Sequence, residues 1–242
     1  MAIEAVDAVR KDLAPTGALR AAINFGNPVL AQRDPATGEA GGVSVDIARE
    51  LSRRLGVAVD LVTFDAAGKV FDALKAGVWD VAFLAIDPKR AAEIDFTAPY
   101  VIIEGVFAVP GDSPLTSVAE VDRAGVRIGV KEGSAYDLYL SRTLQHATVV
   151  RGEEGVDVFR ANGLEVAAGI RQPLSAVVQA DPDLRLIDGA FMQIRQAVGT
   201  KADRRPETIA FLDDAIAQLK ANGFIAASLR RSSQPEDLVA TQ

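Results

Sequence analysis

Apolar positions along this chain alternate between helical spacing and short strand-like runs. Val43, Ile47, Leu51 and Leu55 recur at helical spacing and stop at Gly56, after which Val57 to Phe64 alternates as a strand. Lys69 to Lys75 supplies the next helix through Val70, Phe71 and Leu74, with Gly77 as its stop. Asp80-Val-Ala-Phe-Leu-Ala-Ile86 is a continuous apolar run that suits a strand covered on both faces. Asp87 and Pro88 then read as an acidic N-cap and a proline at the first helical position. Arg90 is therefore predicted in the first turn of a helix that begins where a buried strand ends.

The same reading extends to both ends. Residues 4–13 form an amphipathic helix with Ala5, Val6, Val9 and Leu13 on one face, and Leu19 to Ile23 is a buried strand with Asn24 to Pro28 as its exit loop. After Tyr100 a long apolar stretch, Val101 to Val109, leads into a second series. It comprises helix 118–123, strand 126–130, helix 136–144, strand 148–150, helix 156–160, strand 165–170, helix 174–179 and edge strand 184–187. Phe191 to Val198 is a returning strand, and Pro206 to Asn222 a helix stopped by Gly223. Phe224 to Leu229 extends that helix, and the polar tail from Arg231 is expected to be mobile. Strand–helix alternation predicts an α/β fold with parallel sheets. Two long strands divide it into two lobes, residues 1–105 plus 196–242 and residues 106–195.

Composition narrows the function classes. The chain has 242 residues, 49% hydrophobic and 24% charged, with a net charge of −7, which gives no electrostatic footprint for nucleic acid. It has no cysteine, so thiol catalysis, thiolate metal sites and disulfides are excluded. Its one histidine, His146, lies in a polar stretch and reads as a solvated loop residue, so neither a Ser-His-Asp triad nor a multi-histidine metal site is expected. No metal or cofactor is anticipated. No run is long enough to span a membrane. Residues 1–20 carry early acids and lack the apolar core of a signal peptide; a signal already removed and a protein made without one both fit.

Two places carry candidate chemistry. A cation in a first helical turn opposes the helix dipole, so Arg90 concentrates positive potential at a strand's C-terminal edge, where open α/β sheets bind ligands. The alternative is an Arg90 that only pairs with Glu93 or Asp95. Gly133-Ser134-Ala135 stands between a strand and a helix start, where open amides and the Ser134 hydroxyl make an anion site. Ser134 also reads as a plain N-cap.

Gly77, Asp80, Asp87, Arg90, Ile94, Phe96, Thr97, Pro99 and Tyr100 follow a pattern that resembles family 3 solute-binding proteins of polar amino-acid ABC transporters. The likeness continues upstream through GGVSVDIARELSRRLGVAVDLVTFD and downstream through VRIGVKEGSAYDLYL. It implies a two-lobed periplasmic-binding-protein-like fold, with two crossover strands as hinge and a ligand trapped between the lobes. Two departures stand out: the segment before Arg90 is shorter than the pattern, and Ala85 and Asp87 replace the hydroxyl residues expected there.

The resemblance implies that Arg90 and the helix start at Ser134 and Ala135 grip a ligand carboxylate. An aspartate that holds a ligand ammonium is expected after the buried strand of the second lobe. Here that position falls on Ile170, with Arg171 and Gln172 following. If Arg171 faces the ligand, the site favours anionic character at both ends or no amine; otherwise Arg171 pairs with Asp181 or Asp183. Asn24 and Phe25 occupy a ligand-facing loop, with Phe25 either platform or core, and Lys69 either adds positive charge or is solvated. Trp79 reads as a core plug, and Glu104 as ligand-facing or paired near the hinge. The expected function is capture of a small organic anion by a monomeric, periplasmic protein that serves an ABC permease, with a cytoplasmic location as alternative. The competing readings are a cyclohexadienyl (arogenate/prephenate) dehydratase-like enzyme, with Glu104 or Glu132 as general acid, and a sensory module.

Overall fold

The computed structural model describes residues 3–241, with side chains from residue 6 onward. The chain divides into two compact units, Met1–Ile102 with Arg195–Gln242, and Ile103–Ile194. The first unit runs α1 (Ile3–Leu13), β1 (Ala18–Asn24), the short hairpin β2 (Gln32–Arg33) and β3 (Ala40–Gly41), α2 (Val43–Leu55), β4 (Ala58–Phe64) and α3 (Ala67–Asp72). It continues through β5 (Val81–Ala85), α4 (Pro88–Ala91) and β6 (Ile94–Phe96), and β7 (Val101–Pro110) carries the chain into the second unit. There follow β8 (Arg127–Lys131), α5 (Ala135–Thr143), β9 (Thr148–Gly152), α6 (Gly155–Asn162), β10 (Val166–Ile170), α7 (Arg171–Ala180) and β11 (Leu184–Leu186). Strand β12 (Met192–Lys201) returns to the first unit, which α8 (Pro206–Ala221) and α9 (Phe224–Arg231) complete.

Strands of the first unit lie in the order β4-β1-β5-β12. The pairs β1–β4 and β1–β5 are parallel, whereas β12 runs antiparallel to β5 and pairs β6 beyond it. In the second unit the order is β7-β10-β8-β9, with β10–β8 and β8–β9 parallel and β7 antiparallel to both β10 and β11. Parallel pairing buries both faces, which explains why β5 is buried at all five positions and reads as a continuous apolar run. Below it Val70, Leu74, Trp79, Ala82, Leu84 and Ile94 form a core cluster. Trp79 is part of it, as expected, its indole N–H donating to the Val70 carbonyl at 2.9 Å. In the second unit Val106, Ala108, Phe159, Leu164, Ala167 and Leu174 play the same part. Each such side chain contributes about 1.5–3 kcal/mol on burial.

Both units secure the N-terminal edge of their sheet with one device. Arg20 of β1 donates from its backbone N (3.1 Å) and Nε (2.9 Å) to the Asp80 carboxylate just before β5, and from Nη1 to the Gly77 carbonyl (2.7 Å). Arg127 of β8 donates from N (2.8 Å) and Nε (3.0 Å) to Glu165 just before β10, and from Nη2 to the Gly163 carbonyl (2.6 Å). An arginine fork, a carboxylate just before the neighbouring parallel strand and a glycine carbonyl a few residues ahead of it thus recur in both halves of the chain. Both glycines stand at positive φ, +61° and +52°.

The structure differs from the sequence reading in several places; residues 118–120 form only a short 3-10 turn, and Phe224–Arg231 is a helix separate from α8. Helix α3 ends at Asp72, and residues 73–77 finish as turns. Helix α7 starts at Arg171, so Arg171 and Gln172 lie in its first turn and Pro173 is its third residue. A proline there sacrifices no intrahelical bond, since first-turn N–H groups have no partner within the helix. The polar tail is docked: Val239 bridges Val101, and the Ala240 N–H donates to the Tyr100 carbonyl at 3.1 Å. Helix α1 forms as expected, with Val9 and Leu13 buried, while Ala5 lies outside the described side chains.

Candidate functional site

In the first unit the C-terminal ends of β4, β1 and β5 bring Asp65 to Lys69, Asn24 with Phe25, and Ala85 to Arg90 to one sheet edge. The chains are tightly apposed there, because a Cβ on Gly26 would fall 2.3 Å from the Asp65 carbonyl oxygen. Asn24 Oδ1 accepts from the Gly26 N–H at 2.9 Å, which closes the turn after β1. Lys69 pairs with Asp65 at 2.8 Å on the surface, so its charge is compensated locally. Phe25 is covered by a residue that sequence reasoning missed: the Arg33 guanidinium stands 4.2 Å from its ring centroid. The contact depends on the β2–β3 hairpin, and no local pattern announces it.

Arg90 dominates this edge. Asp87 caps α4 by accepting from the Lys89 N–H at 2.8 Å, which fixes the turn that carries Arg90 inward. The Arg90 side chain is 1% exposed and is the bulkiest fully buried side chain of the described residues. Its Nη1 donates to the Ala85 carbonyl at 3.1 Å. Burial pushes its pKa down to about 10, and nearby Asp87 offsets only part of that. The edge is therefore a place where positive charge is held at a desolvation cost that an incoming anion would relieve.

The second unit presents a matching edge at the ends of β8, β9 and β10. Ser134 is the N-cap of α5, its hydroxyl accepting from the Asp137 N–H at 3.0 Å. Buried Asp137 accepts from the Gly133 N–H (2.9 Å) and from Arg151 Nε (3.0 Å), so the helix start is internally braced. Ala135 is the first helical residue, and its amide and that of Tyr136 point out of the first turn. Burial raises the pKa of the Tyr136 phenol beside them.

The β10–α7 junction overturns one expectation. Arg171 pairs with neither Asp181 nor Asp183; Asp181 instead receives Arg160 Nη2 at 2.7 Å. Arg171 Nε binds Glu104 Oε2 of β7, and its Nη2 donates to the Gly189 carbonyl at 3.0 Å. The register explains this, because Ile170 of β10 lies opposite Gly105 of β7, next to Glu104. Arg171 thus brings no net positive charge to the junction, and Ile170 caps α7 without a side-chain bond. Gln172 Oε1 is buried with no hydrogen-bond partner. Phe191 stacks on Phe107 with centroids 4.2 Å apart and leans toward Tyr139 at 6.0 Å, an aromatic group that no spacing in the sequence revealed.

Glu132 is exposed and contributes only its backbone N–H, bonded to the Gly152 carbonyl. His146 is an exposed loop residue whose N–H donates to Asp122. Among the described residues, no group of three His, Cys, Asp or Glu could hold a metal, and no helix is long and apolar enough to cross a membrane.

Solved structures share this fold at low sequence identity. They include a mutant of ArgBP from T. maritima (20% identity, TM-score 0.77, covering 93% of this chain and 99% of that one). The amino acid ABC transporter substrate-binding protein AbpA from Streptococcus pneumoniae, bound to L-arginine, is another (19%, TM-score 0.75, 91% and 96%). A third is the ancestral amino-acid-binding protein AncCDT-1, a precursor of cyclohexadienyl dehydratase (18%, TM-score 0.73, 96% and 100%). No curated protein sequence matches the chain. Residues 19–232 match the family described as bacterial extracellular solute-binding proteins, family 3, and the chain belongs to that family.

Proposed function

We propose that the chain is a non-catalytic, monomeric binding protein that captures a small organic carboxylate lacking an α-amine and delivers it to an ABC importer. The observation that carries this reading is Arg90: a guanidinium buried to 1% exposure at the C-terminal edge of parallel strands, held there by an N-capped turn. A planar fork in a low-dielectric edge suits a carboxylate and favours Arg over Lys. The absence of an amine is supported by the β10–α7 junction, where Ile170 offers no acid and Glu104 is engaged by Arg171. The structure gives no support to a second anionic group, because Glu104 offsets the Arg171 charge. AbpA's amino-acid ligand does not transfer, since likeness at 19% identity speaks for fold alone.

A dehydratase-like reading needs a carboxylic acid that donates a proton. Glu104 enters the structure as the acceptor of an ion pair, and Glu132 is solvent-exposed, so neither favours that chemistry.

The test is calorimetry of the standard amino acids beside simple carboxylates on wild type and Arg90→Ala. Binding of amine-free carboxylates that Arg90→Ala abolishes is the expected result. Micromolar binding of a standard amino acid overturns the ligand class, and product formation from prephenate overturns the non-catalytic role.

A further inference from the structure

We propose that residues 233–241 form a releasable strap that fixes the root of β7, the strand that carries the chain out of the first unit. Every contact involved lies within that unit. Tyr100, the residue just before β7, is fully buried and joins three elements. Its hydroxyl meets Ser44 Oγ of α2 at 3.2 Å, its ring stands edge-on to Phe83 of β5 at 6.1 Å, and its N–H donates to the Gln196 carbonyl of β12 at 2.8 Å. Its carbonyl is left to the tail: the Ala240 N–H donates to it at 3.1 Å, and Val239 forms an antiparallel bridge with Val101. A buried carbonyl needs a donor, and this one comes from outside residues 19–232, which carry the family match.

A built turn sends the tail there. The Gln234 N–H donates to the Leu229 carbonyl at 2.8 Å and the Ser233 N–H to the Arg230 carbonyl at 3.0 Å, with Ser233 at φ +57°. That is a Schellman end to α9, with serine where glycine is usual. Ser233 is the one non-glycine residue at positive φ among the described residues. Extended Pro235 and the short turn Glu236–Leu238 then bring Val239 to Val101. The hold is thin. Of residues 231–241 only Ala240 is buried. The Arg230–Glu236 pair is 66% and 46% exposed and adds little. An element held chiefly by the Val239 and Ala240 contacts opens locally while the core stays folded. Its release bares the Tyr100 carbonyl and loosens the first residues of β7, whereas the Tyr100 ring keeps its partners on α2 and β5.

The experiment compares backbone hydrogen exchange in the full-length wild type, Ala240→Pro and Ala240→Ser. Proline deletes the one N–H that reaches Tyr100, and serine keeps it. In Ala240→Pro the amides of residues 100–103 are expected to exchange roughly tenfold faster than in the wild type, as loss of one hydrogen bond from a locally opening element implies. Amides of β1 and β5 should keep their wild-type rates, and Ala240→Ser should behave as the wild type throughout. Unchanged exchange at residues 100–103 in Ala240→Pro overturns the inference, because the tail then only rests on β7. Equal acceleration in β5, or failure of Ala240→Pro to fold, also overturns it, since the tail is then part of the core and not a strap. Equal losses in the proline and serine variants overturn the assignment of the hold to the Ala240 amide.

Discussion

At the scale of single residues the chain concentrates its chemistry on a few arginines, and their surroundings decide what each does. Arg90 is buried, Arg171 is balanced by Glu104, and Arg33 stands over the Phe25 ring. Arg90→Ala is expected to cost about 2–5 kcal/mol of carboxylate affinity, as removal of one partner of a buried charged contact does. Arg90→Lys should recover only part of it, because an ammonium cannot fork both oxygens. Equal affinity of the lysine variant and wild type, by calorimetry, would refute a bidentate contact. Arg90 was legible from sequence because everything that places it is local: an apolar run, an acidic cap and a proline within four positions. Glu104 and Arg171 were each noticed, but their pairing was not. It depends on β7 and β10 lying side by side in a register that no window of sequence contains.

Secondary-structure elements show the same division between local and distant causes. Capped and glycine-stopped helices such as α2, closed by Gly56 at φ +66°, match the sequence reading closely. Helix α7 was misplaced because Pro173 reads as a boundary, though a proline at the third position is permitted, and the tail was misjudged because its docking uses backbone bonds that side-chain polarity does not report. The repeated clamps make a comparison possible. Asp80 is fully buried and also receives Arg204 Nη2 at 3.0 Å, whereas the Glu165 side chain is 37% exposed. Asp80→Ala strands two guanidinium groups and should lose about 3–5 kcal/mol of stability. Glu165→Ala should lose at most about 1 kcal/mol. Similar denaturant midpoints for the two variants would show that the clamps do not differ as their burial implies. Asp12 ties α1 to this network through Thr208 Oγ1 (2.6 Å) and Arg204. Burial raises its pKa, but the Thr208 and Arg205 hydrogen bonds and the Arg204 charge outweigh that, leaving it below the ordinary aspartate value. A carboxylate with a depressed native pKa stabilises above its unfolded value and loses that contribution as pH falls through the native one. Asp12→Ala should therefore cost about 2 kcal/mol at pH 7 and progressively less as pH falls through the native pKa, where the wild type loses the same interaction. A pH-independent difference would mean that Asp12 acts by packing alone.

For the whole molecule, binding and stability are one measurement. A ligand that binds only the folded chain adds RT ln(1 + [L]/Kd), which is about 2.7 kcal/mol at one hundred times Kd. In a chain of 242 residues each kcal/mol moves the melting temperature by roughly 2–4 °C, so a true ligand at that excess should raise it by about 5–11 °C. Net charge of −7 works against an acidic ligand at long range, so the gain must come from short-range contacts, chiefly at Arg90. Added salt should then leave the shift nearly unchanged, because a buried pair is screened far less than a surface one. Arg90→Ala at the same ligand concentration should keep at most about a third of that shift, while Lys69→Ala, which removes a surface charge already paired with Asp65, should respond as the wild type does. The decisive comparison is the ligand-induced shift of these three proteins at low and high salt. A shift that collapses with salt, or that falls equally in the Lys69 and Arg90 variants, would show that diffuse surface charge governs binding and that the buried guanidinium does not.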